Sequence, residues 1–225
     1  MTKLYKLTNR DSQTYNQCQW GKNVTHTAPG NGILCTRAWL HAYTHPLLAL
    51  LFNPIHANFA ALHLWECKGT VGITDHGLKV GCTTLTTLRR LPVPPITLVN
   101  RTAFGIGCVY NVYRDTAWRE WARCWVLNID RSADAAAAYA ARAAADAAEA
   151  AAYAARAADV ADVADAADVA DVADAAAHAA ADAADAAAHA ARAAAEAAAR
   201  AARVADAAGS AIPLEALAEW AVRIS

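Results

Sequence analysis

An α+β fold is predicted for this chain: a compact N-terminal sheet-containing domain with two packing helices, followed by a long alanine-rich α-helical extension. Three observations carry it. Residues 1–98 are short apolar runs punctuated by Gly, Pro, Asn and Asp, the pattern of strands and short helices. Residues 133–208 comprise 76 positions with 49 Ala and neither Gly nor Pro, a helix-forming composition. Charge divides along the same line: residues 1–130 carry 13 Lys and Arg against 6 Asp and Glu, and residues 131–225 carry 7 against 15. The expected organisation is a head domain at 1–130, a helical extension at 131–208 and a short C-terminal helix at 209–225.

Each element of the head has a local reason. KLYKLT, AWLHAYT, LHLWECKG and LKVGCTTLTTLRRL read as four strands, rich in apolar, β-branched and aromatic residues. In the third, Leu62, Leu64 and Glu66 alternate with His63, Trp65 and Cys67. Between the second and third, HPLLALLFNP predicts a short helix entered at Pro46 and stopped before Pro54. LPVPP at 91–95 ends the sheet-forming region. Two helices follow. Phe104, Cys108, Val109 and Val112 line one face of the first, and Trp118, Trp121 and Trp125 form a stripe on the second. The tryptophan stripe is expected to pack over the sheet.

The tract has its own order. Tyr139, Arg142, Asp146, Glu149, Tyr153 and Arg156 trace one stripe along a helix, as do His178, Asp182, Asp185, His189, Arg192 and Glu196. Between them DVADVADAA is written twice, at 159–176. Three residues advance about 300° on a helix, so these aspartates circle the axis. A coiled-coil seam cannot cross the ladder without burying carboxylates. The ladder therefore reads as an interruption in a coiled coil, and the extended helix is favoured over a hairpin because no Gly, Pro or Asn supplies a turn. Gly209 ends the helix and Pro213 starts another, whose apolar stripe includes Leu214, Leu217 and Ile224, with Trp220 beside it. These four are the expected partner-binding residues, docking back on the head or joining a neighbouring subunit.

Several function classes lose support. No signal-peptide core opens the chain and no long apolar run suggests a membrane span, so a cytoplasmic location without membrane contact is expected. Six widely separated cysteines contain no C-x-x-C pair, and reduced thiols are expected. His41 and His45 are four apart, but Pro46 disfavours helix there, so no metal site is expected. Phosphate-loop and nucleophile-elbow motifs are absent from the sequence.

The runs LYKLTNRDSQTYNQCQWGKNVTH, LCTRAWLHAYTHPLLALLFNPIHANF, LWECKG and DHGLKVGCTTLTTLRRLP resemble an uncharacterised domain found in phage and bacterial proteins. In that family a Cys-x-x-x-(Trp/Phe)-x-His segment precedes a short helix, and alanine-rich tails often follow. The resemblance spans roughly residues 3–130 and implies a phage or mobile-element setting without an activity. In layout, the head is also similar to ADP-ribosyltransferases of the poly-ADP-ribose polymerase type. Carried onto this chain, their nicotinamide-gripping His falls near Lys6 and their Tyr at His41. No residue matches their Glu, and Glu66 is the acidic group left under that reading.

The expected function is a non-catalytic interaction or assembly protein of phage type, its head domain presented on the helical stalk. It needs no cofactor, and a protein partner or self-association runs through the alanine-rich helix. One alternative is an ADP-ribosyltransferase-like or nucleotide-binding enzyme using Lys6, His41 and Glu66. A second is a polyanion-binding or DNA-mimicking regulator, in which the basic head or acidic tract meets nucleic acid or imitates it.

Overall fold

The computed structural model describes residues 2–132 and 187–225. The expectations placed on 133–186, among them the acidic ladder, the Tyr139–Arg156 stripe and the single extended helix, lie outside the described residues. Within the rest, a sheet-containing N-terminal region is combined with helices. The chain divides at 96/97 rather than at 130. The two helices expected in the head domain thus belong to the second unit, with the C-terminal helices.

In the first unit, β1 (Thr2–Asn9) pairs antiparallel with β6 (Leu62–Asp75), from Thr2 opposite Gly69 to Asn9 opposite Leu62. β6 turns into β7 (Lys79–Leu91) through His76, Gly77 and Leu78, where His76 and Gly77 both take positive φ. A left-handed pair matches the twist of a tight hairpin, and glycine takes that conformation without strain. Register shifts at Glu66/Cys67, Thr70/Val71 and Val71/Ile73 bend the hairpin, because each bulge adds local twist.

The bend lets the far edge of β7 pair with two short strands, β4 (Thr25–Thr27) and β5 (Leu40–Ala42). Tyr5 and Tyr43 then exchange backbone hydrogen bonds of 2.8 Å in both directions. That bridge closes β1, β6, β7 and β5 into a small ring. Leu4, Ala42, Trp65, Cys67, Val80, Cys82 and Leu85 on these strands form a contiguous buried cluster with Trp20. A two-stranded ribbon, β2 (Gln13–Thr14) with β3 (Cys18–Gln19), adjoins β1.

The short helix α1 (Pro46–Leu51) begins at Pro46 as expected, with Leu47 N–H bonded to His45 Nδ1 at 3.3 Å. Its Leu48, Leu50 and Leu51 are buried, and it packs on β1. The helix stops at Leu51, before Pro54, as expected, and Pro54 belongs to a second short helix. It occupies the first turn of α2 (Asn53–His56), where a missing N–H costs nothing.

In the second unit, α3 (Leu98–Val112) opens with a capping box in which Thr97 and Asn100 satisfy each other's backbone N–H groups. α4 (Thr116–Val126) is capped by Asp115, whose carboxylate accepts from Trp118 N–H. Trp118 meets Tyr110, Tyr113 and Trp121, all within this unit.

α5 (Ala187–Ala207) ends at Gly209, whose φ is +70°, as a left-handed helix stop requires. Its buried stripe of Ala194, Ala197, Ala198, Ala201 and Ala205 packs on α3. A Cβ at Gly105 would lie 3.0 Å from Ala194 O, so the two backbones approach as only small residues permit. Arg192 and Glu196, four apart on the same stripe, form an ion pair at 2.9 Å.

α6 (Leu214–Ala221) also packs on α3, with Leu217 and Trp220 against Gly107. Asn100 Nδ2 donates to Ala221 O at 3.1 Å and to Ile224 O at 2.9 Å. Its amide therefore ends one helix and starts another. Asn100→Ala should cost about 2–3 kcal/mol, at roughly 1 kcal/mol per bond with buried carbonyls left unpaired. Urea unfolding of the two proteins checks this, and a loss below about 0.5 kcal/mol would contradict it.

Candidate functional site

A lysine on a β-strand ordinarily points to water, but Lys6 is only 7 % exposed. Period-two alternation puts it on the same face of β1 as Leu4, toward Trp65 and Cys67. Its Nζ donates to His41 O at 2.9 Å and lies 4.5 Å from the Trp20 ring centre. Burial pushes its pKa down to about 8, with Cys67 and Cys18 opposing weakly.

Trp20 and His41 are also walls of a cleft of about 750 Å³, which reaches Cys35, Arg37 and Lys79. An adjoining cavity of about 240 Å³ shares Lys6, His41 and Lys79 and adds Tyr43, His56 and Phe59. Lys79, the first residue of β7, is 9 % exposed and its Nζ lies 3.1 Å from Cys35 Sγ. His41 Nε2 donates to Leu34 O at 2.6 Å. Burial chiefly, with Lys79 and Lys6 nearby, holds the His41 imidazole below its ordinary pKa, despite the opposing hydrogen bond to Leu34. Tyr43 Oη is 3.0 Å from His56 Nδ1 and their rings stack. Burial raises the Tyr43 pKa, so this phenol acts as a neutral hydrogen-bonding group.

No Asp or Glu lines either cavity among the described residues. Residues 1–96 contain nine Lys and Arg against three acidic residues, Asp11, Glu66 and Asp75. Asp11 lies 3.9 Å from Arg10; Asp75, opposite Lys79 in the ladder and close enough to act on His41, has its carboxylate 3.9 Å from His76. Glu66 is opposite Tyr5 in the ladder and thus on the reverse face from Lys6. There it accepts from Arg89 at 2.8 Å and meets Lys3 at 3.5 Å, and the Arg89 hydrogen bond holds its pKa down. Lys6 and His41 are therefore brought together, and Glu66 is not.

The C-terminal stripe is largely spent within its own unit. Leu214 is buried, and Leu217 and Trp220 contact α3. Those two also border an apolar groove of about 340 Å³ with Ile106, Tyr110 and Val126. Sequence reasoning missed Lys79, Cys35 and Trp20. The available signal was weak: two strand lysines, at positions 6 and 79, in a segment poor in carboxylates.

No protein-family model matches this chain, nor does any curated protein or solved structure. Among the described residues, no helix is long and apolar enough to cross a membrane.

Proposed function

We propose that this is a non-catalytic interaction protein whose N-terminal unit captures an anionic group in the Lys6–Lys79 cleft. One observation carries the reading. Two lysines more than nine-tenths buried line the same cleft, and neither has a carboxylate partner among the described residues. Removing an ammonium from water without a counter-charge is costly, and a bound anion would offset that cost. Arg37 on the cleft wall adds a planar donor suited to phosphate or carboxylate. The phage or mobile-element setting and the presentation of this unit on an alanine-rich stalk belong to the same proposal. The former rests on resemblance alone and the latter on composition.

The nucleotide-handling alternative draws on the same cleft, since Lys6 and His41 share it. It is disfavoured because Glu66 faces away, held by Arg89 and Lys3. A labelled nicotinamide dinucleotide is expected to bind without being hydrolysed or transferred.

Calorimetric titration with inorganic pyrophosphate tests the capture reading. Lys79→Ala should weaken binding by roughly 10- to 100-fold, since a charge-assisted hydrogen bond contributes about 1.5–3 kcal/mol. Lys68→Ala, on an exposed strand position, should leave binding unchanged. Equal affinities for wild type and Lys79→Ala would sink the proposal.

A further inference from the structure

We propose that Cys35 and Lys79 are a modification site, at which hydrogen peroxide joins sulfur to nitrogen and thereby withdraws a cation from the cleft. The cross-link stands on its own geometry, and its effect on binding rests on the anion-capture reading. Lys79 Nζ is 3.1 Å from Cys35 Sγ, and both residues line the cleft. Cys35 is exposed, so peroxide reaches the sulfur. Lys79 is nine-tenths buried, which keeps its amine from wandering, so it meets each oxidised sulfur before solvent does. Three of the other thiols are less suited. Cys67, Cys82 and Cys108 are buried, and burial pushes the first two up to about 12 and about 11. A thiol held protonated is a poor nucleophile toward peroxide.

The chemistry balances in two steps. Cys35 sulfur attacks one oxygen of hydrogen peroxide, the O–O bond breaks, and sulfenic acid and water form. The Lys79 ammonium beside it stabilises the departing hydroxide and then gives one proton to solvent. Its free amine attacks the sulfenic sulfur: the S–N bond forms, the S–O bond breaks, and the hydroxide leaves as water with an amine proton. Overall the thiol and amine lose two hydrogens, and one peroxide becomes two waters. The sulfenamide nitrogen carries no positive charge, so one of the two buried cations of the cleft is gone. Two equivalents of a small thiol reverse the bond, returning thiol and amine and leaving a disulfide of the reductant.

Treating the full-length protein with hydrogen peroxide, then alkylating and mapping peptides by mass spectrometry, tests this. The expected product is a Cys35 peptide joined to a Lys79 peptide, lighter than their sum by two hydrogens. It should show a missed tryptic cleavage at Lys79 and be lost on adding dithiothreitol. Cys35→Ser and Lys79→Arg should each abolish it. Oxidation should also lower pyrophosphate affinity about tenfold or more, reversibly, in line with the loss of one charge-assisted contact. Cys35 recovered as sulfinic acid, or as a disulfide with another cysteine, with Lys79 free, would overturn the cross-link. A cross-link in a protein that never binds pyrophosphate would overturn the capture reading and leave the modification site standing.

Discussion

Lys6→Met is expected to be more stable than the wild-type protein at pH 7, by up to about 3 kcal/mol, and to lose pyrophosphate binding. The folded state holds the Lys6 proton less tightly than the unfolded chain, with a pKa of about 8 against 10.5. Each pH unit of that gap corresponds to about 1.4 kcal/mol. Below about pH 8 both states are protonated and the full cost of burying the charge is present. Between about 8 and 10.5 the unfolded chain binds more protons, so stability rises with pH, and above 10.5 the cost is gone. Met fills nearly the same shape without the charge, although the His41 O bond is lost. Cys67 and Cys82, raised by burial, pull the other way above pH 9, their ordinary value. The informative quantity is therefore the difference between the two proteins. Urea unfolding at pH 7 and pH 10 should show that difference shrinking. A Lys6→Met protein less stable at both pH values, by the same amount, would contradict the assignment of Lys6 as a buried charge held for a ligand.

Trp118→Ala should destabilise the second unit by about 3–5 kcal/mol, the range for deleting a large core aromatic. Trp118 is fully buried, with ring centres 5.7 Å from Tyr113 and 6.1 Å from both Tyr110 and Trp121. Its loss leaves a cavity between α3 and α4. Trp121→Ala, at a half-buried position, should cost less than half as much. Because two units need not unfold together, amide exchange is the better readout. Protection should fall across α3 and α4 and stay unchanged across β6 and β7. A loss spread equally over the sheet would show instead that the tryptophan stripe serves the first unit, as its pattern alone suggested.

Local chemistry was legible wherever a short run of residues decides the outcome. Alternating apolar and β-branched residues marked β1, β6 and β7. Pro46, Gly209 and Pro213 marked helix boundaries, and Arg192–Glu196 marked a helix face by spacing alone. By itself the sequence determined these elements because periodicity reports which face of a segment avoids water. It does not report what covers that face. Trp118 and the alanine stripe of α5 were both read as apolar, yet only the fold assigned Tyr113 to one and the Gly105 backbone to the other. The short strand β4 was invisible for the same reason, since its hydrogen bonds depend on a bulged hairpin curling back to meet it, whereas β5 lies within the AWLHAYT run read as a strand. The cleft is the extreme case. Lys6 and Lys79 lie 73 positions apart and look like ordinary strand residues. Only the Tyr5–Tyr43 closure and the bend of β7 bury both beside one cavity. Charge pairing is a matter of distances in space, so only the fold showed that Glu66 faces away and that Asp75, opposite Lys79 in the ladder, lies within 4 Å of His76 rather than forming an ion pair with either lysine.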